Sequence, residues 1–339
     1  MLASGDFTVQ LVAVVNVGES FHDSHLRFAR QSSVSMEGCE MSVDITEFEK
    51  NYVYERTATI PEVTADLQTI AQFDAHHEQL KKKWGFAIAG SVLFGIASFF
   101  GLAISKQLDR NTVLAVIWLG LCFCGFVFCI MQYRKHSRSD LANRRYELLE
   151  EVLRLLLRDS SEKETVAVRL DLQRPDHTTK RTGEGKVGPW SVKYYADPWL
   201  DLSGRLLDGT SFRLEGLEKY QARRKTYRSS SGKTKSKSKS KSALQVTLSL
   251  KPSAKQYVTP DAIAAKLEST VQLPGWSARK SVGLHKDRLQ LTAQTTAEWH
   301  GKPLPPQPDD TTYASGPHLV AMMFLSLYQA LNESRTKRN

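Results

Sequence analysis

The sequence predicts a membrane protein of mixed class: a two-helix transmembrane hairpin with helical cytoplasmic extensions, joined to a soluble α+β domain of an antiparallel sheet and two helices. Three observations predict it. Residues 84–105 and 111–133 contain no charged side chain, and each run exceeds the roughly 20 residues a helix needs to cross a hydrocarbon core. Apolar stripes at helical spacing flank these runs. From about Glu164 the pattern changes to period two, the signature of half-buried strands.

The second run is the more apolar. Residues 113–133 hold eleven Val, Leu, Ile or Phe side chains, which favour insertion by about 3 to 7 kcal/mol together. Small residues interrupt the first run, and Ala87, Ser91, Gly95 and Ser98 form a stripe along one face. Such a stripe permits close helix packing, either within the hairpin or between copies of the chain. Residues 106–112 form a connection too short to hold a domain, so the two helices, 84–105 and 113–133, are antiparallel neighbours.

Basic residues set the expected orientation. Lys81, Lys82 and Lys83 precede the first run and Arg134, Lys135 and Arg138 follow the second, whereas the connection offers Lys106 and Arg110 against Asp109. The positive-inside rule then places both termini in the cytoplasm of a multi-pass protein of the plasma or inner cell membrane. The start of the chain shows no cleavable secretory signal, so the first run would serve as its own insertion signal. Neither run contains Asp, Glu, Lys, Arg or His, which argues against a transporter or proton pump.

Outside the runs, Val63, Leu67, Ile70, His77, Leu80 and Trp84 share one face of a helix over 61–83. Leu148, Leu149, Val152, Leu155 and Leu156 do the same over 134–160. The two are expected to extend the membrane helices into a short antiparallel coiled-coil stalk. Residues 1–60 form an N-terminal segment with strand-like runs, Phe7 to Val17 and Tyr52 to Ile60. Met36 and Met41 are alternative starts, which would leave residues 1–35 outside the native fold. His22, Asp23 and His25 lack a third ligand at metal-binding spacing, and His76 and His77 diverge on a helix. Three of the four cysteines, Cys122, Cys124 and Cys129, lie in the second run and only Cys39 outside it, so no disulfide framework is expected.

Residues 161–335 read as the α+β domain. Strands are expected over 165–172, 190–195, 199–207, 210–217, 244–250 and 288–292. Asp208-Gly209 makes a hairpin turn between two of them, and Gly216 marks a bulge in the return strand. Thr259-Pro260-Asp261 opens one helix. Residues 317–332, after the Pro-rich segment 302–310, form the other.

The charge of this domain is concentrated. Residues 221–242 carry Arg223, Arg224, Lys225, Arg228, Lys233, Lys235, Lys237, Lys239 and Lys241 with no acid among them, nearly the whole formal net charge of +10. Residues 229–242 are expected to be a loop at the tip of a long hairpin. Its bland reading is a solvated low-complexity segment; its functional reading is an anion-binding arm. Anionic head groups of membrane lipids are the nearest ligands. Nucleic acid is the disfavoured rival, because only Tyr220 and Tyr227 stand nearby to stack on bases.

No nucleophile elbow, phosphate loop or zinc-binding spacing is present, and His177, His285, His300 and His318 are scattered. No cofactor or metal is implied. The expectation is therefore a membrane-anchored, non-enzymatic scaffold or adaptor with an unidentified protein partner and a capacity to self-associate. An oligomeric pore or channel subunit is the first alternative and a membrane-bound enzyme the second.

Overall fold

A computed structural model of the chain describes residues 43–104, 112–138, 141–161, 163–253, 257, 263, 267–303 and 314–333. The strand expected at Phe7 to Val17, the histidines at 22 and 25, Met36, Cys39, Met41, the connection at 106–111, the helix start at 259–261 and most of the Pro-rich segment lie outside them. Two compact units are present: residues 68–143 form one, and the segments before and after them the other.

The larger unit opens with a short helix, α1 (Ile45–Asn51), inside the segment read as strand-like. Asp44 caps it by accepting from the amides of Thr46 at 2.8 Å and Glu47 at 3.3 Å, and Tyr52 ends it in a left-handed conformation, φ 52°. The chain then enters β1 (Val53–Thr59) and turns directly into α2 (Ile60–Ile104). Glu62 closes that turn with one half of a capping box: its carboxylate accepts from both the amide and the hydroxyl of Thr59 at 2.9 Å. Below it, the Tyr54 hydroxyl donates to Asp66 at 2.8 Å and Arg56 pairs with the same carboxylate. Burial and the Asp66 charge hold the Tyr54 hydroxyl well above the ordinary phenol range.

The sheet contains β1, β2 (Thr165–Asp171), β3 (Arg181–Val187), β4 (Trp190–Arg205), β5 (Ser211–Arg228), β6 (Thr234–Lys251), β7 (Ala278–His285) and β8 (Arg288–Thr295). Their order is β1-β2-β4-β5-β6-β8-β7, and β3 pairs with the first half of β4 beyond the end of β2. Every pairing in it is antiparallel. One face buries a continuous set of apolar side chains: Val166, Val168, Leu170, Leu200, Leu202, Phe212, Leu214, Val246, Leu248, Leu250, Leu289 and Leu291. The strand period of two aligns these positions because cross-strand partners share a face.

Helices supply further buried apolar side chains. These come from the first turns of α2 (Ile60, Val63, Leu67), from α4 (Asn143–Leu156) and from α5 (Gly316–Glu333), with Ile263 and Leu267 beside them. The structure therefore has an α+β domain on an antiparallel sheet. Strands β3 and β7 escaped the sequence reading, as did the two-residue parallel pair β9 (Trp299–His300) and β10 (Ala314–Ser315). Both β3 and β7 are largely exposed, so burial imposes no alternation on them.

The Asp208-Gly209 turn joins β4 to β5, with Gly209 at φ 79°. The Asp208 carboxylate holds it shut, accepting from the Thr210 amide and hydroxyl and from the hydroxyls of Tyr257 at 2.9 Å and Tyr328 at 3.2 Å. Residue Asp159, whose carbonyl accepts from the Leu207 amide at 2.9 Å, has its carboxyl raised above the usual carboxylate range by burial, with Asp208 adding to the shift.

The bulge lies on the other strand from the one expected. Register shifts between Pro198 and Leu200 of β4, ejecting Trp199, while Gly216 stays in register opposite Leu200. Gly216 is there because a Cβ would come within 2.9 Å of the Trp199 ring.

In the smaller unit, α2 runs unbroken through both the predicted 61–83 and 84–105 helices, and α3 (Thr112–Arg138) follows. The second helix does not continue into a stalk. It ends at Arg138, α4 begins afresh at Asn143, and Leu148, Leu149, Val152 and Leu156 are buried as part of the sheet domain. Leu141 N donates to the buried Asp74 carboxylate at 3.0 Å, an anchor for the chain between α3 and α4. Within this unit α2 and α3 are antiparallel neighbours: Trp84 meets Phe128 edge to face, Phe94 meets Trp118 at a tilt, and His77 Nδ1 lies 3.1 Å from His136 Nδ1.

Two outcomes are expected from these contacts. Gly216→Val forces the Trp199 ring from its seat and destabilises the fold by about 1–3 kcal/mol, read as a lower melting temperature of the purified protein. Asp159 binds its proton more tightly folded than unfolded. Its contribution to stability therefore falls as pH rises from the ordinary carboxylate value through its raised folded value. Asp159→Asn removes that loss and raises the melting temperature at pH 7 relative to the parent, with no gain at acid pH.

Candidate anion-binding ribbon

Strands β5 and β6 stay paired along their whole length, from Ser211↔Lys251 to Arg228↔Thr234. The loop expected over 229–242 is thus a strand for most of its length, and the turn is only residues 229–233. Gly232 at φ 77° makes the turn, donating to Ser229 O at 2.9 Å, while the Ser229 amide donates to Lys233 O at 2.8 Å. The Lys-Ser alternation that resembles low complexity is also a strand alternation. A fully formed partner, β5, supplies the backbone groups that such a segment lacks alone.

Pairing sorts the basic residues by face. Arg223 stands opposite Lys239, Lys225 opposite Lys237, Tyr227 opposite Lys235, and Gln221 opposite Lys241, so these share one side of the ribbon. Arg224 and Arg228 occupy the other side, opposite Ser238 and Thr234, with Ser236 and Ser240 between and beyond them. Lys233 belongs to the turn. Residues 234–242 are all exposed. None of the nine basic side chains forms an ion pair with a carboxylate among the described residues. Lys225 Nζ lies 5.7 Å from the Tyr227 ring centroid and Lys239 Nζ 5.9 Å from that of Trp190. The arrangement can hold a layer of anions.

The small residues read as helix-packing positions, Ala87, Ser91, Gly95 and Ser98, all fall on the half-covered side of α2. Ser91 spends its hydroxyl on Ile88 O at 2.8 Å. A Cβ on Gly95 would meet nothing within 4 Å, so this glycine does not serve close backbone approach within the hairpin.

Sequence reasoning missed a buried ionic cluster. Arg145 of α4, fully buried, donates through Nη2 to Asp197 at 2.6 Å and Glu218 at 2.9 Å, and through Nη1 to Asp171 O at 2.9 Å. Lys180 Nζ lies 2.8 Å from Asp197 and 3.0 Å from Asp171, and Arg144 pairs with Glu218 at 2.7 Å. Three cations meet three carboxylates. Beside them Trp199 and Trp299 stack at 5.7 Å, with Arg145 over the first ring and Arg144 over the second. The signal was present in the sequence: Arg145 lies three and four residues before Leu148 and Leu149, on the apolar face of its own helix. Carboxylates, carbonyls and rings enclose the cluster, so it acts as a clamp between α4 and the sheet. No group of three or more metal-ligating side chains is found among the described residues.

Compared with known protein families, curated proteins and solved structures, the chain matches none of them.

Removing the one fully buried cation of the cluster leaves three carboxylates to the two remaining cations, and breaking a buried ion pair costs about 3–5 kcal/mol. Arg145→Met is accordingly expected to destabilise the fold far more than Arg144→Met, whose parent side chain is partly exposed. Denaturant unfolding of the two variants side by side measures the difference.

Proposed function

We propose that this chain is a membrane-anchored, non-enzymatic interaction protein whose sheet domain presents a basic ribbon to anionic partners. The observation that carries the anchor is a belt of apolar side chains left in the open. Phe86 is 79% exposed, Leu93 69%, Val116 68% and Phe123 66%, on two helices long and apolar enough to cross a membrane. Leaving so much apolar surface in water is unfavourable at about 25 cal/mol per Å2, whereas lipid is its natural solvent. Lysines before the first apolar run and arginines after the second support a hairpin with both chain ends in the cytoplasm of a cell-membrane protein.

The ribbon supports the second half of the reading. Seven of its nine basic side chains are exposed and Arg223 and Lys225 are half-buried; none has a carboxylate partner within the described residues, so an anionic partner meets them without first displacing internal ion pairs.

Membrane fractionation tests the anchor. The full chain is expected to stay with membranes through an alkaline carbonate wash and to be released by detergent, with tags at both ends accessible from the cytoplasmic side. Release by carbonate overturns the anchor; tags in opposite compartments overturn the hairpin topology. Salt-sensitive retention on heparin tests the ribbon, and replacing the five lysines from Lys233 to Lys241 with Gln is expected to abolish it.

A further inference from the structure

We propose that one face of the ribbon, the face carrying Lys235, Lys237, Lys239 and Lys241, is a docking surface for an anionic phospholipid bilayer. This rests on the reading of the ribbon as an anion-binding element and names its ligand.

The first support is segregation. Alternate residues of a strand share a face, so the four lysines form a row about 20 Å long with a side chain about every 7 Å. Arg223 and Lys225 form a second row on the facing strand. The result is an extended patch of six cations, matched to an array of head groups rather than to one phosphate.

The second support is the cost of that patch. Arg223 stands directly opposite Lys239, and Lys225 directly opposite Lys237. Like charges so placed destabilise an antiparallel pair, and no carboxylate among the described residues pairs with them. The other face shows that the sheet could do otherwise: there the alternate positions are Ser236, Ser238 and Ser240. A dense external layer of negative charge converts the repulsion into attraction.

The third support is apolar and favours lipid over nucleic acid. Trp190 lies under Lys239, and its register partner Val187, on the same face, is 45% exposed. Tyr227, 41% exposed, completes the group beside Lys225. Aromatic rings and an aliphatic side chain set among lysines match the interfacial zone of a bilayer, where rings sit at the level of the head groups. The one amide among residues 221–242, Gln221, already accepts from Arg223 at 2.6 Å, which leaves base-edge readout there to the basic side chains alone.

The test uses the full chain in nanodiscs of neutral phosphatidylcholine, floated with separate vesicles of phosphatidylcholine alone or mixed with phosphatidylserine. Binding is expected only with phosphatidylserine. Lys237→Gln with Lys239→Gln is expected to weaken it about thirtyfold, from the usual contribution of each basic residue near an anionic surface. Arg224→Gln with Arg228→Gln removes the same charge from the opposite face and is expected to weaken it far less. Tyr227→Ala with Val187→Ser lowers affinity while leaving the salt dependence of binding unchanged. Equal losses from the two faces, binding without phosphatidylserine, or full competition by a single-stranded oligonucleotide overturns the proposal. Retention on heparin without vesicle binding overturns bilayer docking alone and leaves the anion-binding ribbon standing; loss of both overturns both.

Discussion

The sheet domain depends on the long antiparallel ladders on either side of β5. That strand is paired on one side with β4 from Ser211 to Arg224 and on the other with β6 from Ser211 to Arg228. A backbone polar group must find a partner or water, and here three long strands satisfy one another far past the point where helices cover them. The same strand carries Phe212 and Leu214 into the core, Glu218 into the buried ionic cluster, and Arg223 and Lys225 onto the ribbon. Core, clamp and arm are successive stretches of a single element, so their relative placement is set by strand geometry.

The clamp is an expensive way to attach a helix. Three cations and three carboxylates lose their hydration, and mutual attraction offsets this only because nearly every contact is short and the guanidinium of Arg145 also reaches backbone carbonyls. An apolar contact of similar size would hold α4 as well. What the ionic cluster adds is register: Arg145 fits one arrangement of Asp197, Glu218 and the end of β2, and a helix shifted by one turn would strand all three charges.

Apolar and cationic surface are both kept in the open by this chain, and in separate places. The apolar surface lies on α2 and α3, the cationic surface on the β5–β6 ribbon. Each is unfavourable in isolation, one through contact with water and the other through like-charge repulsion. An anionic bilayer supplies a partner for each, hydrocarbon for the first and head-group charge for the second, and this shared complement underlies the reading of the protein as a membrane-anchored interaction module.

Apolar runs and strand alternation were legible from residue order, because each is a local pattern: the uncharged stretches in α2 and α3, the turn at Asp208-Gly209, the alternation from Thr165 to Leu172. The concentration of charge in residues 221–242 was legible too, since it needs only counting. Tertiary structure decided what depended on a distant partner. Only β5 makes the Lys-Ser segment a strand and sorts its lysines onto one face; only Asp197 and Glu218 make Arg145 a core residue; only the packing of Trp199 explains Gly216. The stripe on α4 read as a stalk and is a core helix, because periodicity fixes which face of a helix is buried and says nothing of what buries it.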